Sequence, residues 1–556
     1  MGKISLILEE YIHKSGEIVW GLPTLFLIVT SGVVMTFGNG FFQFRYFSHW
    51  MKNTFGTILS KKKKASSHKS DIREISGFQA VCGALASTIG TGNISGVCVS
   101  VAAGGPGAVF WMWISALFGM MTSYSEIVLG MHYRTKNISG IWCGGPMYYL
   151  RDGLGKKKGM RHFGKFLGGM FCIFCIFASF GMGNMAQSNS ISDVIFAEYG
   201  INPLITGITV SCITSFVIFG GIKRIASFTE KLVPFMSVFY IVCTTLIFIM
   251  NFKSIPYVFS SIFENAFSTR SILGGTGGLA IKQCVSLGFK RGIFSNEAGL
   301  GSGVIMHTSS DTKESAVQGM WGIFSVFTDT IVICTLTAFV IISTTCSPVS
   351  LSEGLENISD DVTYVSVKDG IKGEIPLADT NANPLIVVPK GNDALYGFSD
   401  KEYTYTNIMA MRGIREDENG NVTKNKKFPI TRVTLEEVDG ASLVTYAFRL
   451  KLGKWSGKLL SLAIILFAFS TVIGWSYYGE KAWEFLFGNS STVIYKMIYI
   501  LCIIFGSVLS LKTVWELSDI FNALMSVPNL IGVLGCSSTV FSITKDYVKR
   551  KIVVWR

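Results

Sequence analysis

Ala86-Ser-Thr-Ile-Gly90-Thr-Gly92-Asn93 sets glycines, hydroxyls and an amide in the middle of an otherwise apolar stretch from Gly77 to Gly104. Two glycines and an asparagine weaken a helix where hydrocarbon would favour one, so the spacing predicts a helix broken inside a membrane. The break leaves backbone N–H and C=O groups without helical partners, and in lipid each orphan is costly. Something polar must satisfy them. Secondary transporters use such breaks as binding sites: a half-helix N-terminus faces an anionic group, and the freed carbonyls coordinate a cation. The stretch therefore points toward ion-coupled transport of a small anion or zwitterion. Gly92-Asn-Ile-Ser-Gly96 also fits the small-xxx-small pattern that packs two membrane helices closely. Close packing alone, however, does not require the asparagine and the clustered hydroxyls.

Working outward, the 556 residues are 49% hydrophobic and only 15% charged, with mean hydropathy +0.44 and 59 glycines, which is the composition of a polytopic membrane protein. Stretches long enough for a spanning helix occur near 19–40, 77–103, 106–131, 166–188, 203–222, 232–251, 271–289, 316–344, 458–478, 492–511 and 518–542, about eleven in all. The fold class expected is an all-α polytopic membrane protein.

A net charge of +13 invites a nucleic-acid reading, but the basic residues lie in loops rather than on a soluble face. Phe44 to Ser76 carries eight Lys or Arg against Asp71 and Glu74, and Tyr133 to Lys165 carries eight against Asp152. The tail after Ile543 holds Lys545, Lys549, Arg550, Lys551 and Arg556 against Asp546, whereas Ser188 to Pro203 holds no Lys or Arg. The positive-inside rule then puts the basic loops and the C-terminus in the cytoplasm and the N-terminus outside a cell membrane. Met1 to Glu17 lacks the basic-then-apolar pattern of a cleavable signal, so the first span is expected to be retained. The twelve cysteines are mostly single residues within apolar segments, where Cys acts as a small hydrophobe.

Between Leu351 and Gly440 the character reverses, with sixteen acids against ten Lys or Arg and a local net charge of −6. Alternating runs such as Val362-Thr-Tyr-Val-Ser-Val and Ile430-Thr-Arg-Val-Thr-Leu, punctuated by Gly-Asn, Asn-Gly and Pro, predict short strands and turns. The expectation is a small β-rich extracytoplasmic insertion over 346–440. Asn357-Ile-Ser and Asn421-Val-Thr suit an exposed location. The chain divides into 1–76, an extra first helix and basic loop; 77–345, the first part of a core; 346–440, the insertion; and 441–556, the rest of the core and the basic tail.

Four further phrases stand out: Gly104-Gly-Pro-Gly-Ala-Val-Phe-Trp-Met-Trp113, Gly144-Gly-Pro-Met-Tyr-Tyr149, Lys290-Arg-Gly-Ile-Phe-Ser-Asn-Glu-Ala-Gly-Leu-Gly-Ser302 and Phe467-Ala-Phe-Ser-Thr-Val-Ile-Gly-Trp-Ser-Tyr-Tyr-Gly-Glu480. Together with the break, in this order, they closely resemble the alanine or glycine:cation symporter family over all but the acidic insertion. The resemblance implies eleven helices, an extra first helix before a core of two inverted five-helix repeats, and sodium-coupled uptake of small amino acids such as alanine and glycine by alternating access. The partners implied are the amino acid, the sodium ion and the bilayer, with no nucleic acid, and no cofactor beyond the co-transported sodium. The long insertion departs from the family's usual short loop.

Under this resemblance, backbone amides near Gly90, Thr91, Gly92 and Asn93 receive a substrate carboxylate, aided by the helix dipole. Asn93 adds a side-chain amide, and Gln187 resembles the family's substrate-contacting glutamine. The sodium site of similar inverted-repeat symporters falls on the carbonyls of Ala86, Ile89 and Phe467 and the hydroxyls of Ser470 and Thr471, oxygen ligands that suit a hard cation. The same hydroxyls can instead bond back within their own helix. Trp475, one turn from Thr471, would restrict the cavity to small side chains. A second break is expected at Gly274-Gly-Thr-Gly-Gly278, and Ser295 to Ser302, with Glu297, is expected to form an inner gate or helix cap. Glu126 is unusual within a span, and either a structural hydrogen bond or a proton relay would account for it.

No metal-ligand spacing, nucleophile elbow, Walker motif or dinucleotide fingerprint occurs, so an enzyme is not expected. Two alternatives stay open: a proton-coupled carrier using Glu126 or Glu297, and an amino-acid sensor in which the outer domain binds ligand.

Overall fold

The computed structural model describes residues 11–12, 14–16, 18–59, 74–267, 277–343, 346–349, 363–367, 373–376, 386–389, 408–416, 422–423, 430–437, 444–445, 447–448, 452–453, 455–509 and 512–552. Among these, seven helices are long and apolar enough to cross a bilayer, and a bent pair, Gly77–Thr88 with Thr91–Val101, makes an eighth crossing if taken as one span. Pro23–Gly38 and Pro203–Ile218 are shorter apolar helices. The chain is a multi-pass, predominantly helical membrane protein.

Its periphery shows the bilayer as solvent. Only 33% of the apolar window in Gly221–Met250 and in Asn489–Val508 is buried, against 72% in Gly107–Tyr133 and in Ser456–Phe487. Phe235, Val238, Val242, Leu246 and Ile249 stand exposed on the first of these, and Ile494, Met497, Leu501 and Phe505 on the second. Apolar faces of that extent are stable only against lipid or protein. The well-buried helices form the interior.

Interior helix α1 (Gly77–Thr88) opens with a capping box, in which the Gln79 N–H donates to Ser76 Oγ (3.1 Å) and the Ser76 N–H to Gln79 Oε1 (3.0 Å). It stops at Ile89, and α2 (Ser95–Gly104) resumes after a single 3-10 turn at Thr91–Asn93, bent by 62° from α1. Gly105, with φ at +77°, then ends α2 before α3 (Gly107–Tyr133). Arg161–Phe180 (α4) runs through a π-helical turn at Gly181–Met185 into Ala186–Tyr199 (α5).

Gly277–Asn296 (α6) and Ser302–His307 (α7) are separated by an interruption at 297–301. The break expected at Gly274–Gly278 falls on a run of which 274–276 lie outside the described residues, while 297–301 is a further interruption among those described. The cause is backbone conformation: Glu297, Gly299 and Gly301 all have positive φ (55°, 94° and 79°), which no right-handed helix accommodates. Ser315–Val326 (α8) and Thr335–Ser343 (α9) are joined by a π-helical stretch, Phe327–Cys334. Ser456–Phe487 (α10) and Lys512–Gly535 (α12) complete the interior, and Thr492–Val508 (α11), between them in sequence, is the largely exposed helix noted above. Helix α10 lies against α1, α4 and α5, and Tyr478 Oη and Ser87 Oγ share a hydrogen bond of 2.6 Å across the α1–α10 contact.

Near the basic loops, β1 (Thr135–Lys136) pairs antiparallel with β2 (Trp142–Cys143). Within the insertion, strands β3 (Cys346–Val349), β4 (Thr363–Val367), β5 (Gly373–Pro376), β6 (Ile386–Pro389), β7 (Ile408–Glu416), β8 (Val422–Thr423) and β9 (Ile430–Glu437) pair antiparallel in the order β3-β6-β4-β7-β9-β5, with β8 on β7. Asn357 and Asn421 of the two sequons lie outside the described residues.

Candidate functional site

The site forms where the first break meets α10, α5 and the α8–α9 stretch. At the break the Gly90 N–H, which in a continuous helix would bond the Ala86 carbonyl, donates instead to Asn93 Oδ1 at 2.9 Å. The Asn93 N–H donates to the Gly90 carbonyl (3.2 Å) rather than to that of Ile89. The break thus withdraws the helical donors from the carbonyls of Ala86 and Ile89. Carbonyl oxygens released in this way are what a hard cation needs.

Helix α10 faces this point. A β-carbon placed on Gly90 would lie 2.6 Å from Thr471 Oγ1 and 3.8 Å from Gln187 Oε1, so both side chains converge on the broken backbone. Ser470 Oγ and Thr471 Oγ1 each donate to the Phe467 carbonyl, at 2.8 and 3.0 Å. These back-bonds consume the hydroxyl protons but leave oxygen lone pairs on Ser470 and Thr471. The five residues expected for a sodium site (Ala86, Ile89, Phe467, Ser470 and Thr471) are all buried.

On the α5 side of the break, Thr91 Oγ1 donates to Gln187 Oε1 at 3.1 Å, and Gln187 Nε2 donates to the Met182 carbonyl of the π-helical turn at 3.2 Å. Gln187 is buried. Asn93 is fully buried, and its Nδ2 donates to Asp329 Oδ1 (2.7 Å) and Ser295 Oγ (2.8 Å). Trp475 lies one turn further along α10, and its Nε1 donates to Glu297 Oε1 at 3.0 Å in the second interruption. It therefore joins the two broken segments through α10.

The sequence reading missed Asp329, the single acid within the eighth apolar stretch; a lone ionisable residue in a span was the available signal. Toward the basic-loop end a second network surrounds the 297–301 interruption. Ser302 Oγ donates to Glu297 Oε2 (2.5 Å), and Asn529 Nδ2 donates to Glu126 Oε1 (2.5 Å) and to the Gly299 carbonyl (2.8 Å). Tyr149 donates its hydroxyl proton to Asn529 Oδ1. A small cavity between α1 and this interruption is lined by Thr88, Glu126, Asn296, Glu297 and His307. Below it, Arg134 donates to the carbonyls of Thr308 (2.9 Å), Ser310 (2.6 Å) and Thr312 (3.0 Å) while its guanidinium lies 4.2 Å from the Trp142 ring centroid. Burial pulls the Arg134 guanidinium down from its usual range, while Glu74 and Asp311 oppose that effect.

Comparison with known proteins agrees with this architecture. The family model described as the sodium:alanine symporter family matches residues 5–371 and 428–553, so the unmatched stretch falls inside the acidic insertion. A relative described as the sodium/alanine symporter AgcS of Methanococcus maripaludis is 35% identical over 96% of each chain. Two Bacillus subtilis relatives, described as a probable sodium/glutamine symporter, GlnT, and an amino-acid carrier protein, AlsT, are 30% and 28% identical over 98% of this chain and 92% and 93% of theirs. These relatives are carriers rather than enzymes, and the same holds for this chain. By the extent of the match, the chain belongs to the sodium:alanine symporter family.

Proposed function

We propose that this protein couples the inward movement of sodium to uptake of small neutral amino acids, alanine and glycine foremost, by alternating access. The observation that carries the reading is the meeting of Thr471 Oγ1 with the broken backbone at Gly90, beside the carbonyls of Ala86 and Ile89 that have lost their helical donors. Ala86, Ile89, Phe467, Ser470 and Thr471 hold the sodium ion. The amides of Gly90 to Asn93, at the start of α2, receive the substrate carboxylate, with Gln187 and the Thr91 hydroxyl beside it. Sodium bound between α1 and α10 ties the two together and favours one of the two access states.

Substrate size follows from Trp475, whose fully buried indole is held by Glu297 and closes the space one turn from Thr471. Glycine, alanine and serine fit this reading better than glutamine, the substrate in the description of one relative. Eleven spans, the basic loops and C-terminus in the cytoplasm, and the β-rich insertion outside complete the proposal. Glu126 and Glu297 serve as hydrogen-bond acceptors for Asn529, Ser302 and Trp475 rather than as a proton relay.

The test is uptake of labelled alanine into liposomes carrying the purified protein, driven by an inward gradient of either sodium or protons. Uptake that requires sodium and is competed by glycine and serine supports the proposal. Uptake driven equally well by protons alone contradicts the coupling.

A further inference from the structure

We propose that Asp329 is the positioning residue that sets the shape of the first break, acting through Asn93. The inference rests on the sodium-coupled reading of the same site and adds a residue to it. Asp329 is fully buried in the π-helical stretch joining α8 and α9, and each of its hydrogen-bond donors is neutral: Asn93 Nδ2 at 2.7 Å, Ser295 Oγ at 2.7 Å and Thr330 Oγ1 at 2.9 Å. Asn296 Nδ2 donates in turn to Thr330 Oγ1 at 2.9 Å, which ties the end of α6 to the same group.

A carboxylate only accepts, whereas an amide has a donor end and an acceptor end. With Asp329 and Ser295 taking its NH2, the Asn93 amide has one orientation available, and its Oδ1 faces the Gly90 N–H. Turned over, it would set an oxygen against the carboxylate and an NH2 against the Gly90 N–H, two mismatches in a buried site. The Gly90 N–H held by Asn93 is the one withdrawn from the Ala86 carbonyl. Asp329 thereby determines, through one intervening side chain, both which amides face the substrate and which carbonyl faces the ion. An asparagine at position 329 keeps one oxygen but replaces the other by an NH2, so Asn93 Nδ2 and the Ser295 and Thr330 hydroxyls share one acceptor fewer and the constraint on the Asn93 amide weakens.

The experiment uses the full-length protein in liposomes as wild type, Asp329→Asn, Asn93→Asp and the exchanged pair N93D/D329N. Each single variant is expected to raise the alanine half-saturation concentration by about tenfold or more, the size of one mis-paired buried hydrogen bond, and to lower the melting temperature. The exchanged pair is expected to return to within about threefold of wild type, because a carboxylate at position 93 can still accept from the Gly90 N–H and from the amide NH2 now at position 329. Hydrogen exchange of the peptide containing Gly90 to Asn93 supplies a readout independent of transport: protection falls in Asp329→Asn and returns in the exchanged pair. Should Asp329→Asn not fold, recovery of folding and protection in the exchanged pair supports the inference. Unaltered half-saturation and protection in Asp329→Asn, or an exchanged pair no better than the single variants, overturns it. Absence of sodium-driven uptake by wild type would defeat the functional reading alone, and the exchange data would still decide the role of Asp329.

Discussion

Thr471 Oγ1 lies 2.6 Å from where a β-carbon on Gly90 would stand, closer than any real β-carbon contact. Helix α10 and the first break can meet only because residue 90 has no side chain. In the proposed function this contact joins the two elements between which sodium is held, so it connects packing to function.

Gly90→Ala is therefore expected to push α10 from the break. Overpacking of this kind costs about 1–3 kcal/mol, and because the displaced oxygen belongs to the proposed ion site, sodium-driven alanine uptake should fall by about tenfold or more. Uptake kinetics at saturating and limiting sodium check this, and a variant with wild-type sodium dependence would refute the close approach.

Trp475→Leu removes the indole that Glu297 holds and opens space beside Thr471. Larger amino acids, valine and leucine among them, should then compete with labelled alanine, while alanine itself binds more weakly. A competition profile unchanged from wild type would show that the indole only packs.

Glu126→Gln keeps an oxygen for the Asn529 NH2 and should retain uptake within about threefold, whereas Glu126→Ala leaves that donor unpaired and should destabilise the protein by about 1–3 kcal/mol. Melting temperature and uptake measured together separate the cases. Loss of uptake in the glutamine variant with unchanged stability would restore the proton-relay alternative.

Arg134→Gln should loosen the end of the molecule that carries the basic loops. The guanidinium bonds three carbonyls that follow the second interruption, and glutamine cannot span them. The thiol of Cys143, buried on β2 beside Lys481 and Glu484, should then react faster with a polar maleimide. Equal labelling rates would argue that Arg134 does not hold this end closed.

Much of this arrangement can be read from the chain without coordinates. The first break is legible because Gly90, Gly92 and Asn93 interrupt an apolar run, and Thr471 and Gln187, singled out by the family resemblance, both approach it. The interruption at 297–301 depends on positive φ at Glu297 as well as at two glycines, so glycine density in the Ser295–Ser302 phrase does not announce it. Sequence composition does not signal a left-handed glutamate. Trp475 lies one turn from Thr471 by helical spacing alone, but its bond to Glu297 spans 178 residues and no local pattern encodes it. Asp329 was passed over in favour of Glu126, although both are single acids in apolar segments. What distinguishes Asp329 is the set of donors that tertiary packing brings to it, from α6 and from the first break.

The most direct test of the account is the affinity of the purified protein for alanine as sodium is varied at constant ionic strength, in wild type and in Thr471→Ala. Coupled binding predicts that alanine binds about tenfold or more tightly in sodium than in potassium, with sodium affinity raised reciprocally by alanine, and that the Thr471→Ala protein loses this linkage. Equal alanine affinity in the two salts, or full linkage surviving in Thr471→Ala, would contradict an ion site between the first break and α10.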